Sequence, residues 1–260
     1  MSLQSLFSLS GKTALIAGAS RGIGLAIAKE IAAAGAHTIL AARSLDKLEV
    51  EAAALRDAGY SAQARQLDVA DTASIAALGA ALKGKVDILI NVSGTNVRTK
   101  FAEYTDEEYD RIMTTNLHGL VKLTQVIGQG MVDAGRGGKI INIGSLTSGL
   151  GLPYLTVYAM TKSGIAGLTR ALAAEWGRFG IQVNCIAPGF IVTDLNRDMW
   201  QAGVMKDWLS GCQSNPRLGT PEDLAGLAVF LAAPASDYIT GQTIYSDGGY
   251  STTAKWPFEP

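Results

Sequence analysis

Three residues in the middle of the chain have side chains and a spacing that could support chemistry. Tyr158 and Lys162 are four residues apart, about one helical turn, so they would share one face of a helix. Ser145 precedes Tyr158 by thirteen residues. On a protein surface, an aromatic side chain beside a cation is an ordinary neighbour pair. Whether these residues form a site therefore depends on the elements that position them.

A second candidate is the glycine-rich stretch GASRGIG, which directly follows the apolar run TALIA at 13–17. Glycines permit a tight turn and close backbone approach, and the N-terminus of a following helix offers N–H groups to a pyrophosphate. The stretch predicts a nucleotide-binding turn, and the alternative is an ordinary structural turn. The residues predicted to contact the cofactor here are Gly18, Ser20, Arg21, Gly22, Ile23 and Gly24.

The end of the second predicted strand favours NADP(H) over NAD(H). NAD-binding sites often place an acidic residue here to bind the ribose hydroxyls, whereas this chain has Ala41, Ala42 and Arg43. A second arginine, Arg21, lies in the glycine turn. Two guanidiniums would bind a 2′-phosphate through charge-assisted hydrogen bonds. The alternative is that both arginines are solvated surface residues.

Short apolar runs alternate with longer helical patterns, including two long helical stretches near 105–134 and 154–179. This alternation predicts a parallel sheet covered on both faces. No linker-like composition divides the chain, so we predict one doubly wound α/β domain over residues 1–260. The predicted strands are 13–17, 37–40, 61–67, 86–90, 139–143 and 181–187.

Composition argues against several classes of function. The 22 basic and 23 acidic residues leave a net charge of −1, which gives no electrostatic reason to bind nucleic acid or anionic lipid. No apolar run reaches the roughly 20 residues that span a bilayer, and the N-terminus does not resemble a signal peptide. Cys185 and Cys212 lack metal-like spacing and fit reduced thiols better than a disulfide. We expect a soluble cytoplasmic protein.

A series of short motifs runs in order along essentially the whole chain. The series is GASRGIG, LDV at 67–69, NVSG at 91–94, Asn116, Ser145, YAMTK at 158–162, APGFIVTD at 187–194 and YITGQTIYSDGG at 238–249. Together these motifs resemble the short-chain dehydrogenase/reductase family. The resemblance implies a Rossmann-type domain with a mostly parallel seven-stranded sheet.

The resemblance implies a role for each candidate catalytic residue. Tyr158 would be the general acid–base group, because a nearby cation favours the phenolate form of a phenol. Lys162 would supply that cation and bind the nicotinamide ribose, while Ser145 would donate to the developing oxyanion. Asn116 would support a water that relays protons to the lysine. The further implied cofactor contacts are Asp68, Val69, Asn91, Gly94, Pro188, Ile191 and Thr193, in addition to Tyr158 and Lys162.

Two positions depart from the family pattern. Ala17 stands where members usually have Thr, and NVSG replaces the more frequent NNAG. Both changes affect local hydrogen bonding, and neither removes a catalytic group. His37 and His118 have no ligand-like partners in the sequence and are interpreted as structural, so no metal is predicted.

The substrate is predicted less directly. Arg98 and Lys100 follow NVSG in a loop that often contacts substrate in this family, and Arg98 could bind a carboxylate. With Ser145 and Tyr158 it would form the substrate site; the alternative is two solvated cations. The resemblance favours a sugar-acid dehydrogenase, such as one acting on gluconate or a keto-deoxygluconate. The alternatives are a 3-oxoacyl-carrier-protein reductase and a nucleotide-binding scaffold without activity.

The two long predicted helices carry more apolar surface than packing on a sheet requires. Such helices commonly bury a second face against a partner, and family members form dimers and tetramers through them. We therefore expect a homo-oligomer, a tetramer by resemblance.

Overall fold

The structure, a computed structural model, describes residues 2–253 except positions 195 and 202. Its centre is one seven-stranded sheet with the order β3-β2-β1-β4-β5-β6-β7. Every neighbouring pair of strands is parallel, which confirms the predicted Rossmann-type sheet. The strands are β1 (Thr13–Ala17), β2 (His37–Ala42), β3 (Ala62–Gln66), β4 (Ile88–Asn91), β5 (Gly138–Ile143), β6 (Ile181–Pro188) and β7 (Thr243–Ser246).

Helices fill the connections between the strands and cover both faces of the sheet. The described α-helices are α1 (Leu3–Phe7), α2 (Gly22–Ala33), α3 (Leu45–Asp57), α4 (Thr72–Leu82), α5 (Asp106–Met113), α6 (Gly119–Ala134), α7 (Thr156–Trp176), α8 (Arg197–Gln201), α9 (Gly203–Cys212) and α10 (Glu222–Ala232). Within the described residues, no helix combines the length and apolarity needed to cross a bilayer.

The core has two halves because successive strand residues point to opposite faces. Ile16 packs on the face covered by α2, α3 and α10, and its neighbour Leu15 packs on the face covered by α4, α6 and α7. Both side chains are fully buried. This explains why the central strands have nearly continuous apolar sequences.

The predicted helix near 105–134 is present but is not uniform. It begins with a capping box, in which the Thr105 hydroxyl and the Glu108 carboxylate each accept from the other's backbone N–H. A π-helical turn at Thr114–His118 joins α5 to α6. Such turns are frequent at functional sites, and no residue pattern in TTNLH predicts one.

The last strand, implied by the family resemblance, had no predicted range, and the helices α1, α8, α9 and α10 were not among the predicted elements. β7 pairs with β6 at the edge of the sheet, and its sequence TIYS has only four residues between turn-forming stretches. Both cysteines are free, and Cys185 is buried in β6. The His37 ring lies 2.7 Å from the Ser61 hydroxyl, and His118 is exposed on the π-helical turn.

The strand order reverses between β1 and β4. The chain leaves β1 toward β2 and β3 on one side, then crosses to β4 on the other side. In open α/β sheets, ligands bind at the carboxyl ends of the strands beside this reversal. The ends of β1 and β4 therefore mark where a site is expected.

Candidate active site

The glycine turn joins the end of β1 to the start of α2. Gly18 has φ 100°, and a Cβ there would lie 2.7 Å from Ser93 N. A Cβ at Gly24 would lie 2.1 Å from the Gly18 carbonyl oxygen. Only glycine fits these two close approaches, and the start of α2 is thereby held against the end of the sheet.

The first turn of α2 is available to an anion. Arg21, the N-cap residue just before α2, makes no side-chain capping hydrogen bond, and the first N–H groups of a helix have no intrahelical acceptor. The Thr193 methyl group lies 3.5 Å from where a Cβ of Gly22 would be, so the loop after β6 faces this turn. A phosphate group would find N–H donors here.

The two arginines proposed to bind a 2′-phosphate are exposed at this edge of the sheet. In the part of the chain that the structure describes, neither Arg21 nor Arg43 forms an ion pair. Gln66 Nε2 donates to the Arg43 carbonyl over 3.2 Å and fixes the backbone at the end of β2. Their charges are therefore free to bind an anionic ligand.

A small cleft lies at the ends of β1 and β4, lined by residues that include Ala17, Val69, Asn91 and Ser93. Asn91 Nδ2 donates to Thr124 Oγ1 and to Asn142 Oδ1, each over 2.9 Å, so the amide nitrogen cross-links buried elements. Asp68 Oδ1 accepts from Ala70 N over 2.9 Å in the turn after β3. The cleft walls are thus fixed by hydrogen bonds.

The two departures from the family pattern meet at this cleft. The Ala17 carbonyl accepts from Val92 N and Ser93 N over 2.9 and 3.0 Å. Ser93 packs against Gly18, with its hydroxyl 3.0 Å from where a Cβ would be. The turn is therefore closed by backbone hydrogen bonds, and these do not need a threonine hydroxyl at position 17.

Tyr158 and Lys162 share the first two turns of α7, with Lys162 Nζ 5.6 Å from the centroid of the Tyr158 ring. Lys162 is buried, at 3% exposure, and its ammonium donates to the Ile143 carbonyl over 2.7 Å. No carboxylate pairs with it among the described residues. The Lys162 charge therefore remains uncompensated beside the phenol.

Ser145 is held beside α7 by a short 3₁₀ helix, Leu146–Ser148. Ser145 N donates to Ser148 Oγ over 3.1 Å, and Ser148 Oγ donates to the Lys162 carbonyl over 3.0 Å. The Ser145 hydroxyl oxygen accepts from Thr147 N over 3.2 Å, so its own hydrogen remains available to donate. Two hydrogen bonds therefore fix Ser145 directly, the third ties Ser148 to α7, and the Ser145 hydroxyl can still donate.

Asn116 is completely buried in the π-helical turn, and its side-chain amide forms hydrogen bonds with the backbone of Thr95. Its Oδ1 accepts from Thr95 N over 2.7 Å, and its Nδ2 donates to the Thr95 carbonyl over 2.8 Å. A longer bond of 3.3 Å joins Nδ2 to Thr161 Oγ1. No pattern in the sequence predicted this tether. Because the side-chain amide of Asn116 is hydrogen-bonded to the loop after β4, a water bound by Asn116 would have to contact its backbone.

The two loop cations differ in their partners. Lys100 Nζ is paired with Glu103 Oε1 over 3.0 Å. Arg98 forms no ion pair within the described ranges, and its Nη1 lies 2.9 Å from the sulfur of Met199 on α8. Arg98 therefore points toward α8 with its charge unneutralised. The sequence analysis did not predict that α8 contacts Arg98.

The loop after β6 holds the remaining predicted cofactor residues. Ile191 is buried, and its carbonyl accepts from Asn196 Nδ2 over 2.9 Å. Asn196 Oδ1 in turn accepts from Thr193 N over 2.8 Å. Pro188 ends β6. Asn196, which the sequence analysis missed, therefore shapes the strand-to-helix turn that faces α2.

The glycine turn, the loops after β4 and β6 and the start of α7 thus bring predicted site residues to the carboxyl edge of the sheet, and Asn116 is joined to this edge by its hydrogen bonds to Thr95. The family model described as enoyl-(acyl carrier protein) reductase matches residues 18–251. The chain belongs to the short-chain dehydrogenase/reductase family. It is accordingly an oxidoreductase of that family.

Three relatives of this short-chain dehydrogenase/reductase bear on its substrate. It is 37% identical to a gluconate 5-dehydrogenase of Gluconobacter oxydans, over 97% of this chain and 100% of the relative. It is 39% identical to a 3-oxoacyl-[acyl-carrier-protein] reductase of Pseudomonas aeruginosa, over 93% and 98%. A gluconate 5-dehydrogenase from Burkholderia cenocepacia, solved in complex with NADP and tartrate, superposes with a TM-score of 0.93 at 36% identity, covering 97% and 100%.

Proposed function

We propose that this enzyme uses NADP(H) to interconvert a secondary alcohol and a ketone on a sugar acid. The residues present fit the cofactor: the close approach of Gly18 and Gly24, which a Cβ would block, forms the tight glycine turn, and the first turn of α2 offers free N–H donors. Arg21 and Arg43 would hold the 2′-phosphate. When bound, the cofactor supplies or accepts the hydride.

The observation that carries the proposed reaction is the Tyr158–Lys162 pair with Ser145 beside it. During reduction, Tyr158 donates its phenolic proton to the carbonyl oxygen as negative charge develops there. The uncompensated ammonium of Lys162 stabilises the phenolate that is left. The Ser145 hydroxyl donates to the same oxygen and orients it. In the oxidative direction the phenolate removes the alcohol proton.

Arg98 supports an acidic substrate. Its guanidinium lies in the loop between β4 and α5, contacts α8, and lacks a carboxylate of its own among the described residues. The guanidinium of Arg98 could donate two parallel hydrogen bonds to a carboxylate of the substrate. Lys100 is less suitable, because Glu103 already neutralises it. The two gluconate 5-dehydrogenase relatives support the same class of substrate.

A 3-oxoacyl-carrier-protein reductase is the second candidate, and the 39% identity to such an enzyme favours it. Its substrate would be a neutral thioester carried by an acidic protein. In that case Arg98 would contact the carrier and would not bind the substrate's own carboxylate.

The test measures NADPH oxidation by absorbance with 5-ketogluconate, an acetoacetyl thioester and a cyclic ketone. We expect the sugar acid to be reduced with the highest kcat/KM. Replacement Arg98→Met should raise KM for 5-ketogluconate by roughly tenfold or more and leave the cyclic ketone almost unchanged. An ion pair remote from the reacting carbonyl acts mainly on KM.

Lys100→Met is the matched control and should change KM less than twofold. Preference for the thioester, with Arg98→Met affecting all substrates equally, would establish the carrier-protein reductase instead. Cofactor binding without turnover of any substrate would indicate a silent scaffold.

We also propose a homotetramer that acts in the cytoplasm. Val126 on α6, Met160 on α7 and Phe179 just after α7 are 36%, 47% and 36% exposed, so both long helices keep apolar side chains at the surface. Burial of such a face against a second copy would remove them from water. The two free cysteines support a reducing compartment. Light scattering that gives a single mass of 27.2 kDa at micromolar concentration would exclude the assembly.

A further inference from the structure

The loop between β4 and α5 alternates between anchored and exposed residues from 95 to 100. Thr95, Val97 and Thr99 are half-buried, whereas Asn96, Arg98 and Lys100 are exposed. A period of two is the signature of extended backbone, in which successive side chains point to opposite sides. The side chains of residues 96, 98 and 100 therefore lie on the same side of the loop, and we name these three residues the outer row.

Each anchored residue is held by a hydrogen bond from a different element. Thr95 is held by both ends of the Asn116 amide, over 2.7 and 2.8 Å. The Val97 carbonyl accepts from the Tyr104 hydroxyl over 3.0 Å. Thr99 N donates to the Tyr154 carbonyl over 3.2 Å. Attachment at every second residue fixes the direction in which the outer row points.

Tyr154 shows that the last anchor is built into the site. Among the described residues it is the only non-glycine with positive φ, at 65°. A bulky side chain rarely adopts this conformation, and such outliers cluster at functional sites. Its carbonyl reaches Thr99 from the segment that connects Ser145 to Tyr158. The outer row is therefore fixed relative to the catalytic residues.

We infer that Asn96 is a second substrate-binding residue. Its side-chain amide forms a hydrogen bond with a hydroxyl group of the polyhydroxy acid, and Arg98 binds the carboxylate of the same molecule. This inference rests on the proposed sugar-acid function. Asn96 and Arg98 are neighbours in the outer row, about 6.6 Å apart along an extended chain. The Asn96 side chain makes no hydrogen bond within the described part of the chain, and its amide both donates and accepts, as an alcohol does.

The third member of the row serves as a control. Lys100 shares the same exposure and direction but is already paired with Glu103. Its removal changes the charge of the loop without removing a free binding group. A general effect of altering the outer row would therefore appear equally in Lys100→Ala and Asn96→Ala.

The experiment measures dissociation constants by calorimetry for the full chain saturated with NADPH, so that no turnover occurs. The probes are gluconate and hexanoate, which share a carboxylate and chain length and differ in their hydroxyl groups. Asn96→Ala should weaken gluconate by about two- to tenfold, the range for one neutral hydrogen bond, and leave hexanoate unchanged. Arg98→Met should weaken both, and Lys100→Ala neither.

Unchanged gluconate affinity in Asn96→Ala would overturn the inference. So would parallel weakening of both ligands, because that pattern indicates distortion of the loop. Thermal unfolding of each variant, measured alongside, should match that of the wild-type protein. A wild-type enzyme that neither binds gluconate nor reduces 5-ketogluconate would instead refute the proposed function, and the two failures are thereby distinguishable.

Discussion

Replacement of Asn116 by alanine separates a tethering role from a role in proton relay. The variant Asn116→Ala removes the three hydrogen bonds that the amide makes with Thr95 and Thr161. It leaves the backbone of the π-helical turn in place. The hydrogen bonds that hold Thr95 are lost. The loop that carries Arg98 is then held only by the bonds of Val97 to Tyr104 and of Thr99 to Tyr154.

The structure sets the size of the effect. Asn116 is completely buried, so its bonds are shielded from water. A neutral hydrogen bond contributes about 1 kcal/mol to stability, which places the loss at about 3 kcal/mol for the three bonds. In a chain of this length, that corresponds to a fall in Tm of roughly 6–12 °C.

Stability is measured by urea and thermal unfolding, and KM values are measured for 5-ketogluconate and NADPH. We expect KM for the sugar acid to rise more than KM for the cofactor, because Arg98 lies in the released loop. Tyr104→Phe is the matched control, since it removes only the bond to Val97 and should cost about 1 kcal/mol.

A different result would refute the tether. If Asn116→Ala unfolds within 1 kcal/mol of the wild-type protein while kcat falls by about 100-fold, a size typical of a lost proton-transfer group, the side chain acts in proton transfer. The three bonds to Thr95 and Thr161 would then contribute little to holding the loop.

Three further predictions concern the proton donor, the cofactor and pH. Tyr158→Phe should lower kcat by about 10²–10⁴-fold and leave NADPH affinity, measured by fluorescence titration, nearly unchanged; turnover at the wild-type rate would contradict the assigned role. Arg43→Ala should weaken NADPH at least about tenfold more than NADH, because a charge-assisted hydrogen bond to the 2′-phosphate is lost; equal losses would assign Arg43 to another function. The Arg217 guanidinium and the Thr220 N–H lower the pKa of Asp223 to about 2. Because this folded-state value lies below the ordinary 3.8, the pair stabilises the protein at neutral pH, and that contribution is lost as pH falls from about 4 toward 2. Asp223→Asn should therefore unfold more easily at pH 7, by a margin that shrinks in urea titrations below pH 4; a margin independent of pH would show that the carboxylate charge is not responsible.

The sequence predicted the fold well where a pattern is local. TALIA and KIINI are rich in apolar residues because both faces of β1 and β5 are buried, and this pattern can be read directly. β7 carries no such run, since all four of its residues are only partly buried at the sheet edge. It forms because β6 offers a free edge, and no local pattern reports that edge.

The site was predicted only as far as residue types and family spacing allow. Tyr158 and Lys162 follow from helical periodicity, and their proximity is observed. The hydrogen bonds between Asn116 and Thr95 depend on the direction in which the π-helical turn orients the Asn116 side chain. No recognised sequence pattern predicts that orientation. The contact between Arg98 and Met199 joins segments about 100 residues apart and required the tertiary structure.

The position of Thr193 opposite Gly22 has a consequence for synthesis on the ribosome. The glycine turn is made early, but the chain that faces it follows β6 and emerges about 170 residues later. At typical rates of translation, this interval lasts roughly 10–30 s. During that time the glycine turn lacks the loop that faces it in the folded protein. If the turn binds the dinucleotide as proposed, the full set of contacts would form only in chains that have been translated past β6.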